Sequence, residues 1–158
     1  MWMLMWRSGS WGVSAMVGLV SRYVKVTVVA VGRLRAPYVD DVAHYVKLLG
    51  RYTRLEIVEV REDEQVERRI PERAFVSLLD AGGRSYDSHG FSRFIEDRRM
   101  SGVDLCFVIG GAFGLDLDRA DERLSLGAMT LPHQLARVVL IEQLYRAHKI
   151  IAGEPYHH

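Results

Sequence analysis

Two short runs of apolar, largely β-branched residues, Val24 to Val31 and Val103 to Ile109, each lead straight into glycine. Neither alternates strictly between apolar and polar residues. Continuous runs of this length are what strands buried on both faces require, and such strands belong to parallel sheets covered by other elements. The stretches between and after them supply those elements. Val39, Val42, Val46 and Leu49, with Tyr38 and Tyr45, recur at helical spacing, with Pro37 suited to the first turn and Gly50 to the end. Leu55 to Val60 reads as a second strand. Arg61 to Arg69 is charged and reads as a short helix closed off by Pro71. Ala74 to Leu79 reads as a third strand, and Asp80-Ala81-Gly82-Gly83 as the turn after it. Ser88 is the expected N-cap of a helix that turns Phe91, Phe94 and Ile95 inward.

Beyond Ile109 the loop Gly110-Gly111-Ala112-Phe113-Gly114 is followed by a polar piece, Asp116 to Leu124, that reads as helical. Ser125 to Leu131 reads as a short fifth strand or an extended loop. The last helix is expected from Gln134 to Lys149, with Leu135, Val138, Val139, Ile141 and Leu144 as its apolar side, Glu142 and Arg146 as an i,i+4 pair, and Gly153 at its end. Strands alternating with helices predict an α/β domain with a mostly parallel sheet flanked by helices. Ligands of such sheets bind beyond the carboxyl ends of the strands, which singles out Asp80 to Gly83 and Gly110 to Gly114. The 158 residues amount to one domain, without internal repeat or inter-domain linker. Met1 to Val20 is apolar but broken by Arg7, Ser8, Gly9, Ser10, Gly12 and Gly18. It fits neither a spanning helix nor a signal peptide well. A disordered tail or a start codon assigned too early is the preferred reading, with a membrane anchor as the alternative.

Charged residues make up 26% of the chain, yet the formal net charge is only +1, so no global attraction to a polyanion is encoded. An RNA partner would need basic residues gathered on one face. Three pairs are available: Arg33 with Arg35, Arg98 with Arg99, and Arg146 with Lys149, the last accompanied by Tyr145 and Tyr156. Each could grip phosphate, and each could equally be solvated arginine at a helix end. A single cysteine, Cys106, rules out an internal disulfide and a cysteine-based zinc cluster, and its apolar surroundings make it a buried small hydrophobe. No histidine pair has the spacing of a metal-binding helix, so no metal is expected. The glycines at 110, 111 and 114 match neither the dinucleotide fingerprint nor a P-loop. They fit either a close backbone approach to a ligand or a tight turn. Leu126 to His133 is small, apolar and almost uncharged, suited to wrapping a flat neutral ligand or to plain burial.

Taken together, these segments resemble the ribosomal RNA large-subunit methyltransferase H family of the SPOUT, or α/β-knot, methyltransferases. The resemblance runs from about Val24 to His158. It rests on the opening strand Val24 to Gly32, the Leu79-Asp80 strand end, Phe107-Val108-Ile109-Gly110-Gly111-x-x-Gly114, and Ser125 to His133. Its most specific part is Glu142-Gln143-Leu144-Tyr145-Arg146-Ala147 followed by Pro155-Tyr156-His157. The resemblance implies a C-terminal trefoil knot that binds S-adenosyl-L-methionine, with Leu79, Gly111, Gly127, Ala128, Met129, Thr130, Leu131 and Pro132 lining the pocket. It implies a cytoplasmic homodimer that methylates N3 of a pseudouridine in the 23S rRNA of the assembled ribosome, with Arg146, Tyr156 and His157 near the target base. Residues 23–158 would form the methyltransferase domain and residues 1–22 an extension without counterpart in the family. The chain departs from the family pattern at Phe113, where other members can carry an acidic residue, and between Val60 and Ala74, which is short. The alternatives are a knotted methyltransferase for another RNA, a non-catalytic RNA-binding module of the same fold, and a flavodoxin-type nucleotide binder. The last is disfavoured by the lack of Ser, Thr and Gly in the loop after the first strand.

Overall fold

The computed structural model describes residues 24–156. The leading extension and His157 lie outside the described residues. Five strands form one sheet in the order β2-β1-β4-β3-β5, and every pairing is parallel. The strands are β1 (Lys25–Val31), β2 (Arg54–Val60), β3 (Phe75–Ser85), β4 (Leu105–Ile109) and β5 (Glu122–Ser125); the helices are α1 (Tyr38–Leu49), α2 (Ser88–Ser101) and α3 (His133–Ile151). The two apolar runs of the sequence, β1 and β4, are neighbours at the centre, with Val28 opposite Phe107 and Val29 opposite Val108.

Side chains of successive strand residues point to opposite faces, which divides the core in two. Val26, Val28, Ala30, Leu105, Phe107 and Ile109 face one way and meet Val42 and Leu49 of α1, Phe91, Phe94 and Ile95 of α2, and Leu140, Ile141 and Leu144 of α3. Val29, Val31, Val76, Leu78, Cys106 and Val108 face the other way. No helix longer than one turn covers that second face among the described residues. Val66 and Ile70, set by two 3-10 turns at Asp63–Gln65 and Glu67–Arg69, and Leu117 close it instead. The charged segment from Arg61 to Arg69 is therefore a pair of tight turns rather than a continuous helix. Cys106 is fully buried, and burial pushes its thiol up to about 12, so it stays protonated.

Two further expectations of the sequence are corrected. The turn at Asp80 to Gly83 does not end β3. The strand continues to Ser85, and the four residues are looped out as a bulge, so that Leu124 of β5 aligns with both Leu79 and Arg84. The polar piece from Asp116 is not a helix. Its side chains are spent on tertiary tethers: Asp121 accepts from Val76 N at 2.7 Å, and Arg119 donates to the carbonyls of Ile70 and Pro71. Of the two readings for Ser125 to Leu131, the extended loop is the one seen, from Leu126 to Pro132, and the fifth strand lies before it at Glu122–Ser125. A smaller shift concerns the α2 cap. Asp87 is the N-cap, its carboxylate accepting from Gly90 N at 2.5 Å, and Ser88 is the first helical residue.

α3 lies between α1 and α2 and carries the most buried helix face. Its fully buried residues are Leu140, Ile141, Leu144, Ala147 and, unexpectedly, Arg137. Each large apolar side chain buried there contributes roughly 1.5–3 kcal/mol. Leu135, Val138 and Val139, assigned to the apolar side by the sequence, are only half-buried. α3 is thus apolar beyond the stripe that the chain itself covers.

Candidate functional site

A cleft of about 740 Å³ opens beyond the carboxyl end of β4 and beside the bulge of β3. Its walls are the β3 bulge, the loop after β4 and the segment between β5 and α3. Both ligand loops picked out from the sequence therefore border one cavity, where open parallel sheets bind their ligands. Leu79, Gly111, Gly127, Met129, Thr130, Leu131 and Pro132 line it. Ala128 is exposed and does not. Asp80, Ile109, Phe113, Leu115, Leu124, Leu126, His133 and Ala136 are also in the wall, with Ala81, Gly110, Ala112 and Gly114 between them. Asp80, Phe113, Leu126 and His133 belong to segments the sequence singled out, whereas Ile109, Leu115, Leu124 and Ala136 were signalled only by lying within a few residues of them.

The walls are braced from behind. Asp80 accepts from Gly82 N at 2.8 Å and is ion-paired to Arg123 of β5 at 2.7 Å. Arg123 also pairs with Asp116, beyond the 110–114 loop. The Gly82 amide and then Arg123 hold the Asp80 carboxyl below its usual range, so the brace is charged at neutral pH. Ser125 Oγ lies 3.0 Å from Ala81 O and 2.9 Å from Gly127 O, stitching bulge to loop. Two glycines are there because nothing larger fits. A Cβ on Gly83 would sit 2.6 Å from the carbonyl of Arg123, and one on Gly110 would sit 2.7 Å from Leu115 Cβ. Inside the cleft the surface is almost uncharged: among the described residues, Asp80 and His133 are its only titratable side chains. Such a lining suits the flat, uncharged part of a ligand. Phe113 and Met129, almost fully exposed, flank it.

Arg146 and Tyr156 form a second centre on the C-terminal half of α3. The Arg146 guanidinium stacks 4.0 Å above the Tyr156 ring. Glu142 Oε1 accepts from both, at 2.8 Å from Arg146 Nη2 and 2.6 Å from the Tyr156 hydroxyl, while Gln143 donates to Oε2. Burial first, and then the Glu142 carboxylate, push the Tyr156 hydroxyl well above its usual value, so it is a neutral donor at physiological pH. Tyr145 packs edge-on against Tyr156 and in turn meets Tyr45 and Tyr52. Glu142, expected from the sequence as the i,i+4 partner of Arg146 and as part of the family motif, was given no place at the target base. It sets the geometry of both candidate groups, and Arg146 is consequently half of an ion pair rather than a lone cation. Arg146 Nε is buried without a partner.

The structure does not bring the two centres together within one chain. Ala136 borders the cleft and Arg146 belongs to the cluster. Ten residues of helix separate them, or about 15 Å at the usual rise. No group of His, Cys, Asp or Glu suited to a metal ion occurs among the described residues, and no helix there is long and apolar enough to cross a membrane.

The family model described as "Predicted SPOUT methyltransferase" matches residues 24–157. Proteins named ribosomal RNA large subunit methyltransferase H are similar throughout. The one from Carboxydothermus hydrogenoformans is 40% identical, over 85% of this chain and 99% of that protein. That from Ruminiclostridium cellulolyticum is 41% identical and that from Anaeromyxobacter 43% identical, each with the same two coverages.

Proposed function

The chain belongs to the SPOUT methyltransferase family, and from that premise we propose that it transfers the methyl group of S-adenosylmethionine to N3 of a pseudouridine in 23S rRNA of the assembled ribosome. The observation that carries the reading is the nearly uncharged, glycine-walled cleft beyond β4 and beside the β3 bulge, bordered by the 126–132 segment. Its size is in the range that encloses a ligand as large as a nucleoside derivative. Leu79, Gly111, Gly127, Met129, Thr130, Leu131 and Pro132 would hold the donor, Ala128 helping only through its backbone. The segment's threading as a trefoil knot is part of the proposal.

S-adenosylmethionine, when bound, supplies a methyl on a sulfonium that leaves as a thioether, so neither metal nor covalent enzyme intermediate is required. What this chain must supply is position and a proton acceptor. N3–H of a pseudouridine is a weak acid that must lose its proton as the N–C bond forms. Arg146 favours the anionic base, and Glu142 fixes the direction in which the guanidinium points. Tyr156, its hydroxyl proton given to Glu142, orients the base by its ring. His157, adjacent in sequence, is assigned the proton.

Separation of the cleft from the Arg146–Tyr156 cluster supports a homodimer in which one protomer's tail completes its partner's cleft. The half-buried Leu135, Val138 and Val139 and the exposed Phe113 and Met129 are apolar surface suited to that contact. Residues 23–158 would form the catalytic domain and act in the cytoplasm, where ribosomes are.

The test is transfer of labelled methyl to ribosomes lacking the modification, with separated large subunits and free rRNA alongside. Label on a 23S pseudouridine only in assembled ribosomes is expected. Label on another RNA would keep the chemistry and move the substrate. Donor binding without label on any RNA would overturn the rRNA reading.

A further inference from the structure

The basic pairs seen in the sequence meet different fates in the fold. Arg98 lies over the rings of Phe75 and Phe94, 4.4 and 4.3 Å from their centroids, and Arg99 is forked onto Glu96. Arg146 and Lys149 are held by Glu142 and Glu154. Arg33 and Arg35 are exposed, and neither side chain has an ion-pair, hydrogen-bond or ring partner among the described residues.

The backbone that carries this last pair is nevertheless fixed from several sides. Gly32 N donates to Val60 O at 2.8 Å, Leu34 N to Glu59 Oε1 at 2.8 Å, and Arg35 N to Gln134 Oε1 at 2.9 Å. Gly32 O accepts from Arg137 Nη2 at 3.0 Å, and the other arm of that guanidinium donates to Glu59 Oε1 at 2.6 Å. Arg137 is fully buried, and its Nε has no partner. An arginine taken out of water is costly unless its charge is matched, so its presence here needs a return. The return visible in the fold is a rigid loop joined to the first turns of α3. The same turns border the cleft through Pro132, His133 and Ala136.

We propose that Arg33 and Arg35 are a phosphate-contacting site for the RNA substrate beside the methyl-donor cleft, and that Arg137 and Glu59 are its positioning residues. The inference rests on the RNA methyltransferase reading above. Guanidinium groups match phosphate oxygens by paired donors, and a fixed backbone lowers the entropy lost when they engage. Phosphate contacts set orientation on the nucleic acid without reading sequence. A near-neutral chain therefore needs only a local basic edge.

The experiment measures methyl transfer to ribosomes lacking the modification over a series of KCl concentrations, with donor affinity measured separately by calorimetry. Arg33→Ala combined with Arg35→Ala is expected to raise KM for ribosomes by about ten-fold or more. It should also lower the slope of log KM against log salt by roughly 1–2, with donor affinity and saturated turnover kept. Glu59→Gln and Arg137→Gln are expected to raise KM in the same way, and to add little in the Arg33→Ala/Arg35→Ala background. Should Arg137→Gln fail to fold, Glu59→Gln and the double variant carry the test. An unchanged KM and salt slope in the double variant, with an active wild type, overturns the site. Full additivity of Glu59→Gln with the double variant overturns the positioning role. A wild type that binds the donor but methylates no RNA sinks the functional reading and this site with it.

Discussion

The two ends of α3 are built on opposite principles. At its N-terminal end the cleft is wide, nearly uncharged and edged by exposed apolar side chains, with its polar bonds placed behind the wall. At its C-terminal end Glu142, Arg146, Tyr145 and Tyr156 are already hydrogen-bonded and stacked on one another. The first is shaped by what must not be there, namely side chains at Gly83 and Gly110. The second depends on side chains that are there and on their mutual orientation. Loss of function should accordingly come through donor affinity at one end and through turnover at the other.

The largest effect expected is at the ordered end. Arg146→Ala should lower turnover by roughly 10²–10³-fold, as loss of one preorganised charged donor does elsewhere. Donor affinity, read by calorimetry, should hold. A weakened donor affinity with normal turnover would erase the contrast between the two ends. Glu142→Gln comes next, leaving Arg146 charged but poorly aimed. A misplacement of this kind costs on the order of 10²-fold in single-turnover rate, and an unchanged rate would remove Glu142 from the site.

At the cleft end Gly83→Ala should weaken donor binding by about ten-fold, because the Arg123 backbone 2.6 Å from the new Cβ must move. Single-turnover rate at saturating donor should be kept, and its collapse would show that the bulge serves chemistry as well as binding. The smallest effect concerns His148, buried on α3 with its Nδ1 2.7 Å from Leu144 O. Burial lowers its pKa below the usual value of about 6.5. In that window the unfolded chain binds a proton that the folded one does not, so stability is fully present above about pH 6.5 and is lost as pH falls toward the folded value. Thermal melts from pH 7.5 to 5 should therefore fall more steeply for the wild type than for His148→Leu. Parallel melting curves would exclude the contribution.

Much of this arrangement was legible before folding. β1, β4 and α3 are specified by local pattern, because runs buried on both faces and helical spacing are properties of neighbouring residues. The C-terminal pairing of Glu142 with Arg146 follows from helical geometry alone. The glycines beyond β4 and in the 80–83 segment pointed to the cleft, and the family resemblance named its lining. Ala128 is exposed and outside the lining, although it stands between two residues that belong to it.

Tertiary structure decided what depends on partners remote in sequence. Asp80 to Gly83 has the composition of a turn, yet β3 survives it because β5 offers Leu124 to both sides of the bulge. Asp116 to Asp121 is polar like a solvated helix, yet its charges are drawn to Arg123, Ile70, Pro71 and Val76. Arg137 sits 78 residues from Glu59, and no local rule predicts a fully buried arginine. Strand and helix identity come from interactions a few residues apart, which the order of residues contains directly. Bulges, tethers and buried ion pairs are chosen by which distant groups the assembled sheet brings within hydrogen-bonding reach.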